Sequence, residues 1–155
     1  MDLGLKGLRA VKTGGTKGIG RSTANILAAE SCRVLVCARN KDEVMETVSA
    51  LTKMGVTAYG EVVDVADKAA LKKFIADSAK KLGGIDIVVA NVSALAVQDE
   101  DASWQKAFDV DMMHTVHAVN AALVHYTQSM AYKHAGKPIR FNSVFPGNTY
   151  FDGGV

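Results

Sequence analysis

Residues Thr13 to Gly20 read Thr-Gly-Gly-Thr-Lys-Gly-Ile-Gly, a spacing suited to holding a phosphate. Thr13, Gly14 and Gly15 close a short apolar segment. Thr16 and Lys17 add a hydroxyl and a cation, and Gly18, Ile19 and Gly20 open a stretch with helical spacing. Glycine takes positive φ without strain and lets the backbone approach a bulky ligand. Amides at the start of the following helix then point at the anion. The pattern is Gly-x-x-x-Gly-x-Gly rather than Gly-x-Gly-x-x-Gly, but its mechanics are those of a dinucleotide turn.

A second set of residues bears on which dinucleotide. Sites for the unphosphorylated cofactor usually place Asp or Glu after the second strand, where it binds the ribose 2′-hydroxyl. Here Val36 to Asn40 read Val-Cys-Ala-Arg-Asn, with no acid. Arg39 offers a fork of donors suited to a 2′-phosphate, and Lys17 adds a nearby charge, so NADP(H) is favoured over NAD(H). The plainer alternative is that Arg39 is a solvated turn residue and Lys17 a surface lysine.

The remaining chemistry-bearing residues say less. Asp111, His114 and His117 fall three apart and share a helical face, but no further ligand stands at fitting spacing. They read as a polar stripe on a packed helix, with no metal. Ser143 has no histidine and acid in a recognisable order beside it. Cys32 and Cys37 are the only cysteines and read as packed thiols of a cytoplasmic protein.

The elements that must position these residues alternate in type. Leu8 to Val11 predicts a first strand, interrupted by Arg9 and Lys12, and Gly18 to Glu30 a helix with Ile19, Thr23, Ile26 and Leu27 inward. Arg33 to Cys37 is a buried strand. Asn40 with Glu43 resembles a capping box for a helix carrying Val44, Val48 and Leu51, stopped at Gly55. Val56 to Val63 is a third strand, Asp67 to Leu82 a helix with Leu71, Phe74, Ile75 and Leu82 inward, and Ile85 to Ala90 a fourth strand. Ala94 to Ala102 is an acidic loop. Ser103 can cap a helix running from Trp104 to about Ala135, and Ile139 to Val144 is strand-like. The alternation predicts an α/β fold: a Rossmann-like, doubly wound parallel sheet in a single domain over 1–155. Ligand belongs at the carboxyl ends of the strands, where the glycine loop, Arg39, Asp64 and Asn91 all fall.

Composition narrows the partners. The chain has 155 residues, 48% apolar and 22% charged, with a formal net charge of +2. That charge is too mild to argue for nucleic acid, and no stretch approaches a membrane span.

These residues together resemble the short-chain dehydrogenase/reductase family. Thr13 to Gly20 is similar to its coenzyme loop, and Asp64-Val65 to the pair that touches the adenine. Asn91-Val92-Ser93 stands where the family has Asn-Ala-Gly, so Asn91 carries over. Phe108 to Asp111 resembles the Phe-x-x-Asn stretch, with Asp111 at the active-site Asn position. Ile139 to Gly147 resembles the sixth strand leading into Pro146-Gly147, and Thr149 corresponds to a later coenzyme-contacting position. The resemblance implies an NADP(H)-dependent oxidoreductase acting on a small alcohol or carbonyl.

One departure governs the expected activity. The family's catalytic Ser and Tyr-x-x-x-Lys have no counterpart: Tyr126 is followed four places on by Met130, and Tyr132 by Gly136. The fifth strand is missing with them, which implies a truncated sheet of five strands in order 3-2-1-4-6 in family numbers. Fragment, deletion variant and degenerate copy all fit. The resemblance therefore implies impaired catalysis; alternatives are a non-catalytic dinucleotide-binding or partner-pairing module, or a nonfunctional product. The 104–135 helix would expose Met112, Val116, Val119 and Leu123, which implies a homo-oligomer.

Overall fold

Five strands form one parallel sheet in the order β3-β2-β1-β4-β5. In this computed structural model the described residues are 2–94, 100–132 and 140–143. The elements run β1 (Arg9–Thr13), α1 (Gly18–Ala29), β2 (Arg33–Ala38), α2 (Lys41–Lys53), β3 (Ala58–Val62), α3 (Lys68–Leu82) and β4 (Ile87–Ala90). They continue with α4 (Asp101–Ala107), a π-helical turn (Phe108–Met113), α5 (His114–Tyr132) and β5 (Arg140–Ser143).

The five-strand parallel arrangement is the expected one. β5 pairs directly with β4, Ile87 opposite Arg140 and Ala90 opposite Ser143. The helical stretch from Asp101 to Tyr132 supplies the crossover, comfortably above the dozen or so residues a parallel connection requires. Pleating divides the core. Val11, Leu35 and Val88 face α3 and α5 and meet Leu71, Phe74, Ala118 and Ala122. Ala10, Val34 and Val36 face α1 and α2 and meet Ala24, Leu27 and Leu51.

Local chemistry explains several element ends. The Asn40 side chain accepts from the amides of Asp42 and Glu43, and that of Asp67 from Ala69 and Ala70. Both helices therefore begin with a satisfied cap. Arg9, which the sequence reads as interrupting β1, instead ties its start to the turn before β4. Its Nε donates to Asp86 Oδ2 and its Nη2 to Oδ1, both at 2.6 Å, and its Nη1 donates to the Gly83 carbonyl.

Three expectations are corrected. The buried face of α1 is Gly20, Ala24, Leu27 and Ala28, while Ile26 is 55% exposed, because small residues let this helix lie close to the sheet. The next helix starts at Asp101 after Glu100, without a side-chain cap from Ser103. It continues through the π-helical turn without the single regular period expected from Trp104 onward. The expected continuation to Ala135 passes outside the described residues.

Candidate functional site

The carboxyl ends of β1 to β4 enclose a cleft of about 340 Å³. Gly14, Thr16, Lys17, Arg39, Asp64 and Val65 line it, so residues from three separate chain segments converge there. Asn40 and Glu43 from the start of α2, Val92 and Ser93 after β4, and Lys106 and Val110 from the long helical stretch complete the wall. Thr13, Gly15, Gly18, Ile19, Gly20 and Asn91 shape the loop behind this lining. Pro146, Gly147 and Thr149 lie outside the described residues.

The loop is built by close backbone approach. Gly14, at φ 63°, sits so near the Asn91 carbonyl that a Cβ would collide with it. A Cβ on Gly20 would run into the Gly14 carbonyl, so Gly20 folds the loop onto itself before any ligand is considered. The amides of Gly14 and Gly15 donate to the Cys37 carbonyl at 2.9 and 3.3 Å, which anchors the loop to β2. Lys17 is the N-cap residue of α1 and makes no side-chain cap bond, unlike Asn40 and Asp67. First-turn amides of α1 thus remain available to a phosphate.

Charge at the cleft is arranged around Glu43. Its carboxylate pairs with Lys17 at 2.9 Å and accepts from Thr16 Oγ1 at 3.1 Å. Those contacts, Lys17 foremost, hold the Glu43 carboxyl below its ordinary range. The capping box read from the sequence is thus half present, since Asn40 caps α2 while Glu43 turns to the loop. Arg39 is exposed, and among the described residues nothing engages its guanidinium. Asp64 accepts from the Ala66 amide at 3.0 Å, which fixes the turn after β3.

Sequence reasoning missed the support beneath the loop. His114 is 1% exposed, and its Nε2 lies 2.8 Å from Thr13 Oγ1. Its Nδ1 lies 3.0 Å from the Val110 carbonyl, which can only accept, so Nδ1 carries the proton and Thr13 donates to Nε2. Thr13 Oγ1 in turn accepts from the Asn91 amide at 3.1 Å. Burial pushes the His114 pKa down. The available signal was its spacing with Val110 and Ala118, four residues on either side, all buried. Asp111, on the same helical stretch, accepts from the Ala94 amide at 2.7 Å and so holds the chain after β4. Asp111 and His114 thus serve two separate contacts; His117 is directed elsewhere on the helix, where burial and the charges of Lys68 and Lys72 lower its pKa.

Lys12 is the second surprise. It is fully buried in β1 with Val36 and Val89 as its strand neighbours, and its Nζ donates to the Thr13 carbonyl at 3.2 Å. Burial pushes its pKa down to about 7. Cys32 and Cys37 are buried free thiols, pushed up by burial to about 11 and about 12.

A dinucleotide fits this donor set. The glycine loop and the uncapped α1 amides suit a pyrophosphate, and Asp64, Val65, Arg39 and Lys17 line the same cleft. A strand-loop-helix of this build at the carboxyl end of the central strand of a parallel sheet defines a Rossmann-type nucleotide site.

Comparison with known proteins places the chain further. The short chain dehydrogenase family profile matches residues 9–125, and the chain belongs to that family. It is 35% identical over 132 residues to isoepoxydon dehydrogenase of Penicillium expansum, covering 83% of this chain and 51% of that protein. A short chain dehydrogenase from Burkholderia cenocepacia, solved in complex with NADP, superposes with TM-score 0.72 at 28% identity, covering 78% of this chain and 51% of the other. Carveol dehydrogenase from Mycobacterium avium, solved in complex with NAD, gives TM-score 0.72 at 26% identity, covering 79% and 50%. The chain spans about half the length of these relatives. No helix among the described residues is long and apolar enough to cross a membrane.

Proposed function

We propose that the cleft binds NADP(H) in preference to NAD(H), through the loop 13–20, Arg39, Asp64, Val65 and Asn91. The observation that carries this reading is the convergence of Gly14, Lys17, Arg39 and Asp64 on one cleft at the strand ends, with no acid after β2. Pro146, Gly147 and Thr149 belong to the same assignment by family resemblance. The dinucleotide, once bound, supplies hydride chemistry. This chain's residues bind and orient it: α1 amides on the pyrophosphate, Arg39 and Lys17 on the 2′-phosphate, and the Asp111–Ala94 contact holding the wall after β4.

The substrate class is a small alcohol or carbonyl, and turnover by this chain is impaired. Neither a Tyr-x-x-x-Lys nor the accompanying Ser occurs in the sequence, and a positioned general acid is worth about 10²–10⁴-fold. Asp111 alone stands at a family active-site position. The exposed stripe of Trp104, Phe108, Met112, Val116 and Leu123 on one side of the 101–132 helix supports self-association through that helix. Two buried free thiols support a cytoplasmic location. Titration of the chain with NADPH and NADH, followed by NADPH oxidation with a panel of carbonyls, tests the reading. Binding with negligible turnover supports it; efficient turnover that is abolished by Asp111→Ala contradicts the impairment.

A further inference from the structure

The Glu43 carboxylate is an anion already installed among the donors of the cleft. Thr16 Oγ1 donates to its Oε2 at 3.1 Å, and Lys17 Nζ meets its Oε1 at 2.9 Å. Thr16, Lys17, Arg39, Asn40 and Glu43 all line the same wall, so this pairing occurs within the cleft and not on a remote surface. The position is set by the backbone: Asn40 caps α2 and fixes Glu43 in its first turn, facing the loop that opens α1. The contacts that engage Glu43 also keep it ionised at neutral pH.

We infer that Glu43 is a selectivity residue, a built-in competitor for the donors a ribose 2′-phosphate would use. The inference rests on the dinucleotide reading of the cleft. A phosphate monoester carries a charge of about −1.5 to −2 at pH 7. To reach Lys17 and Thr16 it must displace the carboxylate or sit beside it, and like charges in a cleft oppose binding. A bare 2′-hydroxyl meets no such opposition and finds in Glu43 an acceptor, the role an acid after β2 fills in other dinucleotide sites. Glu43 therefore narrows the NADP(H) preference that Arg39 creates, and it does so from helix α2 rather than from the strand end.

Calorimetric titration of the full chain with NADPH and with NADH, at low and physiological salt, tests this in wild type, Glu43→Gln and Glu46→Gln. Glutamine keeps the preference of a helix first turn, so α2 is preserved. Glu46 is the control: it lies on the same helix, 76% exposed, and its nearest cation is Arg21 at 3.7 Å. Glu43→Gln tightens NADPH by roughly three- to tenfold and leaves NADH unchanged or weaker, with the gap widest at low salt. Glu46→Gln leaves the ratio unchanged. Weaker NADPH binding in Glu43→Gln, or an equal factor on both dinucleotides, means that Glu43 only braces the loop and overturns the inference while the dinucleotide reading stands. A wild-type chain that binds neither dinucleotide overturns that reading, and this inference with it.

Discussion

The hydroxyl of Thr13, the last residue of β1, donates to Nε2 of His114 across 2.8 Å of buried interior. The two residues are 101 positions apart in the chain. Through them the start of the glycine loop is tied to the first residue of α5, and the Asn91 amide joins the same oxygen from the end of β4. Two strand ends and the start of one helix therefore share one hydrogen-bonded post. Family resemblance singles out Thr13 as a coenzyme-loop residue, but what its side chain does here is hold the loop from below.

Removing that post destabilises the fold. His114→Ala empties a buried ring volume and leaves Thr13 and Val110 without their partner, at a cost of about 2–4 kcal/mol. Urea unfolding followed by circular dichroism measures it; Thr13→Val, which keeps the shape and opens no cavity but removes the bonds to His114 and to the Asn91 amide, costs less. The wild type also loses stability as pH falls. Burial lowers the folded pKa of His114 below 6.5, so between that lower value and 6.5 the unfolded chain binds the extra proton. Stability is intact above pH 6.5 and declines below it, and His114→Gln reduces that decline.

Lys12 produces the opposite end of the pH profile. Its folded pKa of about 7 lies below its ordinary 10.5, so across that window the unfolded chain is protonated and the folded chain is not. Stability therefore rises as pH increases from about 7 towards 10.5, and the penalty is complete below about 7. Lys12→Met removes the desolvated amine and keeps its apolar stem. It raises the unfolding free energy at pH 7, read from urea titration, by an amount on the order of 2 kcal/mol, and flattens the alkaline rise. An unchanged profile shows that the amine reaches solvent.

Gly20 distinguishes loop-building from ligand contact. Because a Cβ there meets the Gly14 carbonyl, Gly20→Ala costs roughly 1–3 kcal/mol of stability even without dinucleotide, and weakens NADPH as a consequence. Gly18, at φ 48°, lies in the left-handed region, so Gly18→Ala costs about 1 kcal/mol in backbone strain. Thermal unfolding of both variants without ligand ranks them.

Much of the architecture was legible because it depends on local pattern. Val34, Leu35 and Val36 buried on both faces announce a central strand, and Asn40 caps its helix as its spacing suggests. Alternation gave the parallel sheet with right-handed crossovers, and the strand order came from the family resemblance. What escaped was long-range or unusually close. Arg9 looked like a break in β1 because Asp86, its partner, is 77 residues away. Ile26 fits a helical apolar face by spacing, yet α1 lies so close that only glycine, alanine and Leu27 face inward. The cleft lining was readable from strand ends, whereas the turn of Glu43 towards Lys17 depends on how α1 and α2 sit together.

The central claim is tested most directly by the ratio of NADPH to NADH affinity in wild type and Arg39→Asp, measured by calorimetry at physiological salt. Arg39 is a cleft cation without a partner among the described residues, and a charge-assisted contact contributes about 1.5–3 kcal/mol. Wild type binds NADPH more tightly, and Arg39→Asp reverses the preference by about tenfold or more, since the carboxylate repels a 2′-phosphate and accepts from a 2′-hydroxyl. Equal effects of the substitution on both dinucleotides, or a wild type indifferent to the phosphate, would contradict the account.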